Sequence, residues 1–260
     1  MTITPVIKRD YLANLAEKGK RADGRQLGEY RNIEIETNVI SKAEGSARVK
    51  IGNTQVVVGI KMDVGEPYPD SPESGVMSTA AELIPLASPD FEAGPPREDA
   101  IELARVVDRG IRESKVIEVE KLCIEPGEKI WLVFIDIHII DFDGNLFDAA
   151  SLAALAALMT STVPAERFEL GDNYPLPLRT PPISCTSVKY NGAIVIDPAL
   201  DEEEIAEARL TVATDENGDI RAMQKGLNGS FTVDEVKKVI KASIDNGKKL
   251  RENLYKSVGK

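Results

Sequence analysis

Apolar and polar positions repeat with two different periods along this chain, and the places where the period changes mark its elements. Val6, Ile7, Tyr11, Leu12 and Leu15 fall at helical spacing behind Thr4 and Pro5, a start signal, and predict a first helix ending near Gly19. The period then drops to two. Ile33 and Ile35 alternate with Glu34 and Glu36, and strands over 47–51 and 55–62 flank a Gly52-Asn53 turn, which predicts an antiparallel meander. Seven prolines between 65 and 96 forbid a long helix there and leave room only for short extended pieces such as 80–86, on a surface. Ala100, Leu103, Ala104, Val107 and Ile111 form one apolar stripe, so a helix is expected from Arg97 that packs flat on a sheet.

The run 130–140, IWLVFIDIHII, is apolar at nearly every position and reads as a central strand buried on both faces. Asp148 is expected to cap a following helix through Met159, whose Ala and Leu all round predict burial on every side. After a proline-rich stretch, GDNYPLPLRTPP, the pattern restarts. Segments 183–190 and 193–196 flank Asn191-Gly192 as a hairpin, and 209–213 and 220–225 flank the turn DENGD. Thr232 with Glu235 forms a capping box that opens a long last helix. The expected organisation is an N-terminal helical extension over 1–30, a first lobe over 31–170, a linker over 171–182 and a second lobe over 183–260 with its C-terminal helix. Both lobes read as strands and then helix, an α/β (α+β) class of mixed sheets covered by helices.

Composition narrows the function. Hydrophobic residues make up 42% of the 260 positions but aromatics only 5%, so the core is built from Ile, Val, Leu and Ala. No apolar run approaches the ~18 to 20 residues of a membrane span, and the start lacks a secretory leader, which predicts a cytoplasmic protein with no membrane partner. Cys123 and Cys185 lack metal-site or disulfide spacing and are expected as buried free thiols. With 43 acidic against 32 basic side chains, the net charge of −11 argues against a protein that coats nucleic acid over its whole surface. Any such contact must be local. No phosphate-gripping GxxxxGK[ST] loop or dinucleotide GxGxxG loop is present.

Candidate chemistry is sparse. His138, the sole histidine, shares a strand face with Asp136 and reads as a hydrogen-bonded core pair, since one histidine makes neither a metal site nor a triad. Asp201, Glu202, Glu203 and Glu204, close behind Asp197, offer carboxylates for a cation, but read first as a solvated helix start. Arg105, Arg109 and Arg112 recur at i, i+4 and i+7, opposite the apolar stripe. They are spaced either to grip successive phosphates or to pair with Glu102 and Asp108 along the helix.

The segment RADGRQLGEYRNIEIETNV, 21–39, followed by GSARVKIGNTQVVVGIK, 45–61, resembles the opening of RNase PH-like proteins, with their RxDGR, ELR, GSA and G-x-TQV motifs in order. The resemblance covers nearly the whole chain and implies that family's two-lobed fold. Active members use phosphate to cleave the 3′ end of RNA, with an arginine from a DxDGGTRTA-like motif and three acids from a DxxxEEDxxxEAD-like motif. Here Phe147 stands at the arginine position and Asp148 at the next, so that an anion would meet a ring and a like charge. Asp197 matches the first acid, Glu203 replaces the second, and Arg209 stands in place of the third.

The strings AIELARVVDRGIRES and DGNLFDAASLAALAAL look like the non-catalytic ring subunit of the archaeal exosome. That resemblance implies no catalytic residue, cofactor or metal of its own. It implies a hexameric ring of three heterodimers with an active RNase PH-like subunit, topped by RNA-binding cap proteins. Arg105 and Arg109, with Arg112 beside them, are then expected on the path of single-stranded RNA. The rival reading, an active phosphate-dependent 3′-to-5′ exoribonuclease, needs its phosphate arginine from elsewhere, such as Arg97 or Arg179.

Overall fold

In the computed structural model, which describes residues 6–259, two sheets enclose one nearly all-apolar helix. The Thr4-Pro5 start signal lies outside the described residues. The first sheet contains β1 (Ile33–Thr37), β2 (Gly45–Ile51), β3 (Thr54–Gly65), β4 (Val76–Leu83), β5 (Cys123–Glu125) and β6 (Lys129–Asp141). Its order is β1-β2-β3-β6-β4, with β5 paired to β6. The meander β1-β2-β3 forms as expected, closed by the tight Gly52-Asn53 turn.

β4 arises inside the proline-rich stretch and is a sheet strand, which corrects the expectation of loose surface pieces. It runs parallel to β6, with Ala81 beside Ile137 and Glu82 beside His138. Prolines bracket it without interrupting it, and Met77 and Ala81 bury their side chains.

β6 is buried on one face only. Val133, Ile135, Ile137 and Ile139 are buried, while Leu132, Phe134, Asp136, His138 and Ile140 alternate with them half-buried. An unbroken apolar run hides this alternation, because half-exposed Leu and Phe look like core. His138 therefore lies on the open face with Asp136, not in the core. Its side chain is 42% exposed, and Nδ1 lies 3.4 Å from Glu82 of the neighbouring strand.

α2 (Glu98–Ser114) buries the expected stripe and packs on β4 and on α3 (Leu146–Met159). α3 crosses β2 and β3 on one side and meets the second sheet on the other, and its residues 147–158 are all buried. Asn145, not Asp148, is the residue before its first turn, and Asp148 is the third helical residue. The segment 171–182 is tied down on its way between the sheets. In it, β8 (Tyr174–Pro175) pairs with β7 (Thr162–Val163), and Leu178 bridges to Ile117.

The second sheet has the order β10-β9-β11-β12, from β9 (Ile183–Tyr190), β10 (Ala193–Ile196), β11 (Ala208–Thr214) and β12 (Ile220–Gly226). Asn191 and Gly192 take the positive φ values that a two-residue hairpin needs. Between β10 and β11 lies the short α4 (Leu200–Glu204). α5 (Val233–Ser257) opens on the Thr232–Glu235 capping box and covers β9 and β11.

α1 (Val6–Glu17) packs across to this second sheet. Leu12 and Ala16 join Val188, Tyr190, Val195 and Ile205, while Tyr11, expected on the apolar stripe, is 55% exposed. Cys185 is buried and Cys123 half-buried, and both are free. Among the described residues no helix is long and apolar enough to cross a membrane.

Candidate functional site

Two features of α2 and α3 bear on function: an arginine row on the open face of α2, and a charged cluster where the start of α3 meets the loop before α4. On α2, Arg105, Arg109 and Arg112 are all exposed. Arg112 is committed to neighbours, with Nε and Nη2 on Asp108 at 2.9 Å and Nη2 on the Met77 carbonyl at 3.1 Å. Helical pairing of Glu102 with Arg105 does not occur. Glu102 turns instead to Arg209 of β11, whose Nη2 donates to it at 2.5 Å. Arg105 has no hydrogen bond or ion pair among the described residues, and Arg109 makes only a long bond of 3.5 Å to Gln224 Oε1. The two guanidiniums thus face solvent with their donors available, as phosphate contacts require.

The charged cluster is built around Asp197, which is fully buried with φ +49°, a left-handed conformation that Asp tolerates better than most residues. One carboxylate oxygen accepts from Arg31 Nη2 and Asn145 Nδ2 at 2.8 and 2.7 Å. The other accepts from Arg25 Nη1 and the Arg31 backbone amide, both at 2.8 Å, and from Arg31 Nε at 3.0 Å. Burial pushes the Asp197 pKa up, but the Arg31 guanidinium outweighs it and holds the carboxyl below its ordinary value. Gly144 brings the two loops together: a Cβ there would lie 2.5 Å from the Pro198 carbonyl oxygen.

The acidic run opens α4 as expected and Glu204 is exposed, but the run is not solvated throughout. Glu202 is buried and grips Arg21, whose Nε donates at 2.8 Å and whose Nη2 also reaches it. Asp201 pairs with Lys8. Glu203 accepts from the Asn145 backbone amide at 2.9 Å, and burial pushes its pKa up to about 7. An amide at the mouth of α3, where a helix start favours an anion, is therefore taken by this chain's own carboxylate.

Asp148 points inward and does not face the place an anion would occupy, contrary to expectation. It accepts from Tyr30 Oη at 2.7 Å, Asn145 Nδ2 at 2.8 Å, and the Thr186 amide and hydroxyl at 2.9 and 2.7 Å. Burial pushes its pKa up to about 6 against those donors. Phe147 lies under Arg209, with the guanidinium carbon 4.1 Å from the ring centroid.

This donor set does not fit a divalent cation. Asp197 is saturated by guanidinium and amide groups, and Arg209 brings a positive charge where a third carboxylate is needed. Among the described residues no three His, Cys, Asp or Glu side chains gather as a metal site. Arg97 pairs with Glu92 and Arg179 lies 3.6 Å from Glu118, and neither is a partner of Asp197 or Glu203.

Residues 29–164 match domain 1 of the 3′ exoribonuclease family, RNase PH, and residues 180–246 match its domain 2. The chain belongs to the RNase PH family. Within it, the chain is 57% identical over 248 residues to the exosome complex component Rrp42 of Methanocella arvoryzae, covering 95% of each. A solved structure described as the Archaeoglobus fulgidus exosome with RNA bound to the active site contains a chain that superposes with a TM-score of 0.93 at 52% identity. The match covers 95% of this chain and 98% of that one. An archaeal exosome core matches with a TM-score of 0.89 at 48% identity over 96% of each chain.

The sequence reading missed the residues that hold the cluster. Arg21, Arg25, Tyr30 and Arg31 all lie in the RxDGR and ELR-like motifs that carry the family resemblance, so the signal was present as motif but not as chemistry. Only the fold shows that these motifs clamp a segment about 170 residues away, as the Arg25–Asp197 separation of 172 positions illustrates.

Proposed function

We infer that this chain is a non-catalytic component of an archaeal RNA exosome. It joins an active RNase PH-like subunit in a hexameric ring of three heterodimers, completes that partner's active site, and contributes Arg105 and Arg109 to the path of single-stranded RNA. Cap proteins that bind RNA complete the assembly, which works in the cytoplasm. The observation that carries the reading is the Phe147–Arg209 stack: a ring and a guanidinium fill the place where an active member needs an arginine and an acid. The near-full-length similarity to archaeal Rrp42 components supports the same role.

Arg105 and Arg109 remain available because Arg209 occupies Glu102, the carboxylate that helical spacing offers them. Arg112, held by Asp108 and the Met77 carbonyl, is the least available of the three. An active phosphate-dependent exoribonuclease is disfavoured by the same stack and by the arginine-saturated Asp197.

The test is co-expression with an active RNase PH-like archaeal subunit. A one-to-one complex that degrades RNA in phosphate and magnesium, while this chain alone releases no nucleoside diphosphate, is the expected result. Robust phosphorolysis by this chain alone, abolished by Asp197→Asn, overturns the assignment.

A further inference from the structure

Arg105 and Arg109 form a ridge with two unlike flanks. On one side lies a polar hollow of about 270 Å³ bordered by Thr79, Asp108 and Arg112. On the other, between α2 and β12, lies an open groove of about 420 Å³. That size falls within the roughly 300–1,000 Å³ typical of small-molecule sites. Ile101 and Val106 line it with apolar surface, and Gln224 of β12 lies across from Arg109. Ile101 is 49% exposed, the one large apolar side chain on a face of α2 otherwise made of Glu98, Asp99, Arg105, Arg109, Arg112 and Glu113.

We propose that this groove holds one nucleobase of the single-stranded RNA whose phosphates lie along Arg105 and Arg109. The proposal rests on those arginines contacting RNA and adds where the attached base goes. Charge sorts the two parts of a nucleotide. Glu98 at the edge of the groove repels a phosphate and Glu102 beside it is neutralised by Arg209, whereas Arg105 and Arg109 along the rim attract one.

A neutral, flat base gains apolar contact from Ile101 and Val106 and a planar guanidinium to stack on. Gln224 supplies an amide for the base edge. Its present bonds are long, 3.5 Å from Arg109 and 3.4 Å to the Lys225 carbonyl, so little is lost when a base replaces them. The polar hollow on the other flank offers no comparable apolar surface, which gives the strand one side on which to place its base.

The assembled complex with its active partner is titrated, without phosphate so that no cleavage occurs, with an oligoadenylate and with versions carrying one abasic nucleotide at successive positions. Removing the base that occupies the groove is expected to weaken binding about three- to tenfold, the size of losing one apolar contact surface. Ile101→Ser is expected to weaken the intact oligonucleotide by a similar factor with no change in salt slope, and to abolish the extra loss at that one position. Gln224→Ala acts in the same direction.

If the abasic loss at every position is the same in wild type and Ile101→Ser, while Arg105→Glu with Arg109→Glu still weakens binding, the groove proposal fails and the RNA path stands. If the arginine pair has no effect, the RNA path itself fails. Dissociation of the complex by Ile101→Ser on gel filtration would show that the partner protein covers the groove, and would overturn the proposal.

Discussion

The Arg209 guanidinium carbon lies 4.1 Å from the centroid of the Phe147 ring, while its Nη2 holds Glu102 at 2.5 Å. Two of the positions at which the chain departs from the DxDGGTRTA-like and DxxxEEDxxxEAD-like motifs therefore touch each other, and the pair also reaches α2. In place of the motifs' arginine and acid the chain has one cation–π contact.

Because the two positions are coupled, restoring one is expected to fail. Phe147→Arg sets a second guanidinium against Arg209 in a buried place, and a loss of about 2–4 kcal/mol is expected in urea unfolding. No nucleoside diphosphate should be released from RNA in phosphate and magnesium. Phe147→Leu, which keeps the burial and removes only the ring, is expected to cost about 1 kcal/mol. Activity in Phe147→Arg would show that the remaining acids still form a working site.

Arg31 is expected to be the main counter-charge of Asp197. Arg31→Ala leaves a buried carboxylate with Arg25 as its remaining ion-pair partner among the described residues, and a loss of about 3 kcal/mol is expected. Adding Asp197→Asn removes the charge that needs compensating, so the double variant should be more stable than the sum of the two single losses. Strict additivity in chemical denaturation would sink this account.

The pH dependence of stability follows from Glu203. Its pKa rises from 4.5 in the unfolded chain to about 7 in the folded one, mainly through burial. The folded state then holds a proton that the unfolded state releases. The stabilisation is complete below about pH 4.5 and is lost as pH rises through about 7. Asp148, pushed up to about 6, acts in the same direction from a lower starting value. Glu203→Gln should therefore gain about 1–3 kcal/mol on wild type between pH 4.5 and 8. Thermal melting across that range checks it, and parallel curves for the two proteins would refute it.

Arg105→Glu with Arg109→Glu is expected to weaken RNA binding by the assembled complex without disturbing its assembly, because among the described residues neither side chain has a partner beyond the long Arg109–Gln224 bond. Two lost phosphate contacts should flatten the dependence of log affinity on log salt by roughly 1.4 units, at about 0.7 per phosphate on a single strand. Arg112→Ala should change the slope less, since its guanidinium is held by Asp108 and a backbone carbonyl. Identical slopes for wild type and the double variant would remove the arginines from the RNA path.

The elements legible in the sequence are those whose causes are local. The Asn191-Gly192 turn, the Thr232–Glu235 box and the α2 stripe each depend on neighbours within a few positions, and each forms as read. What was misread depended on distant partners. Glu202 looks like a solvated acid until Arg21, 181 positions earlier, supplies its counter-charge. Glu102 looks like a partner for Arg105 until Arg209, 107 positions later, takes it. The His138 strand reads as buried on two faces because no local signal says whether a layer covers the second one. Phe147 and Arg209 were legible as departures from a pattern, but their stacking was not.

The packing of the N-terminal segment also sets an order in time. Arg21 donates to the Asp197 carbonyl, 176 positions later in the chain, and α1 rests on strands of the second sheet. At roughly 5–20 residues per second, the ribosome takes about 10–35 seconds to deliver that partner after Arg21 has been made. During that interval Leu12, Ala16, Arg21 and Arg25 wait without their contacts to the second sheet and to the loop before α4, so α1 docks late.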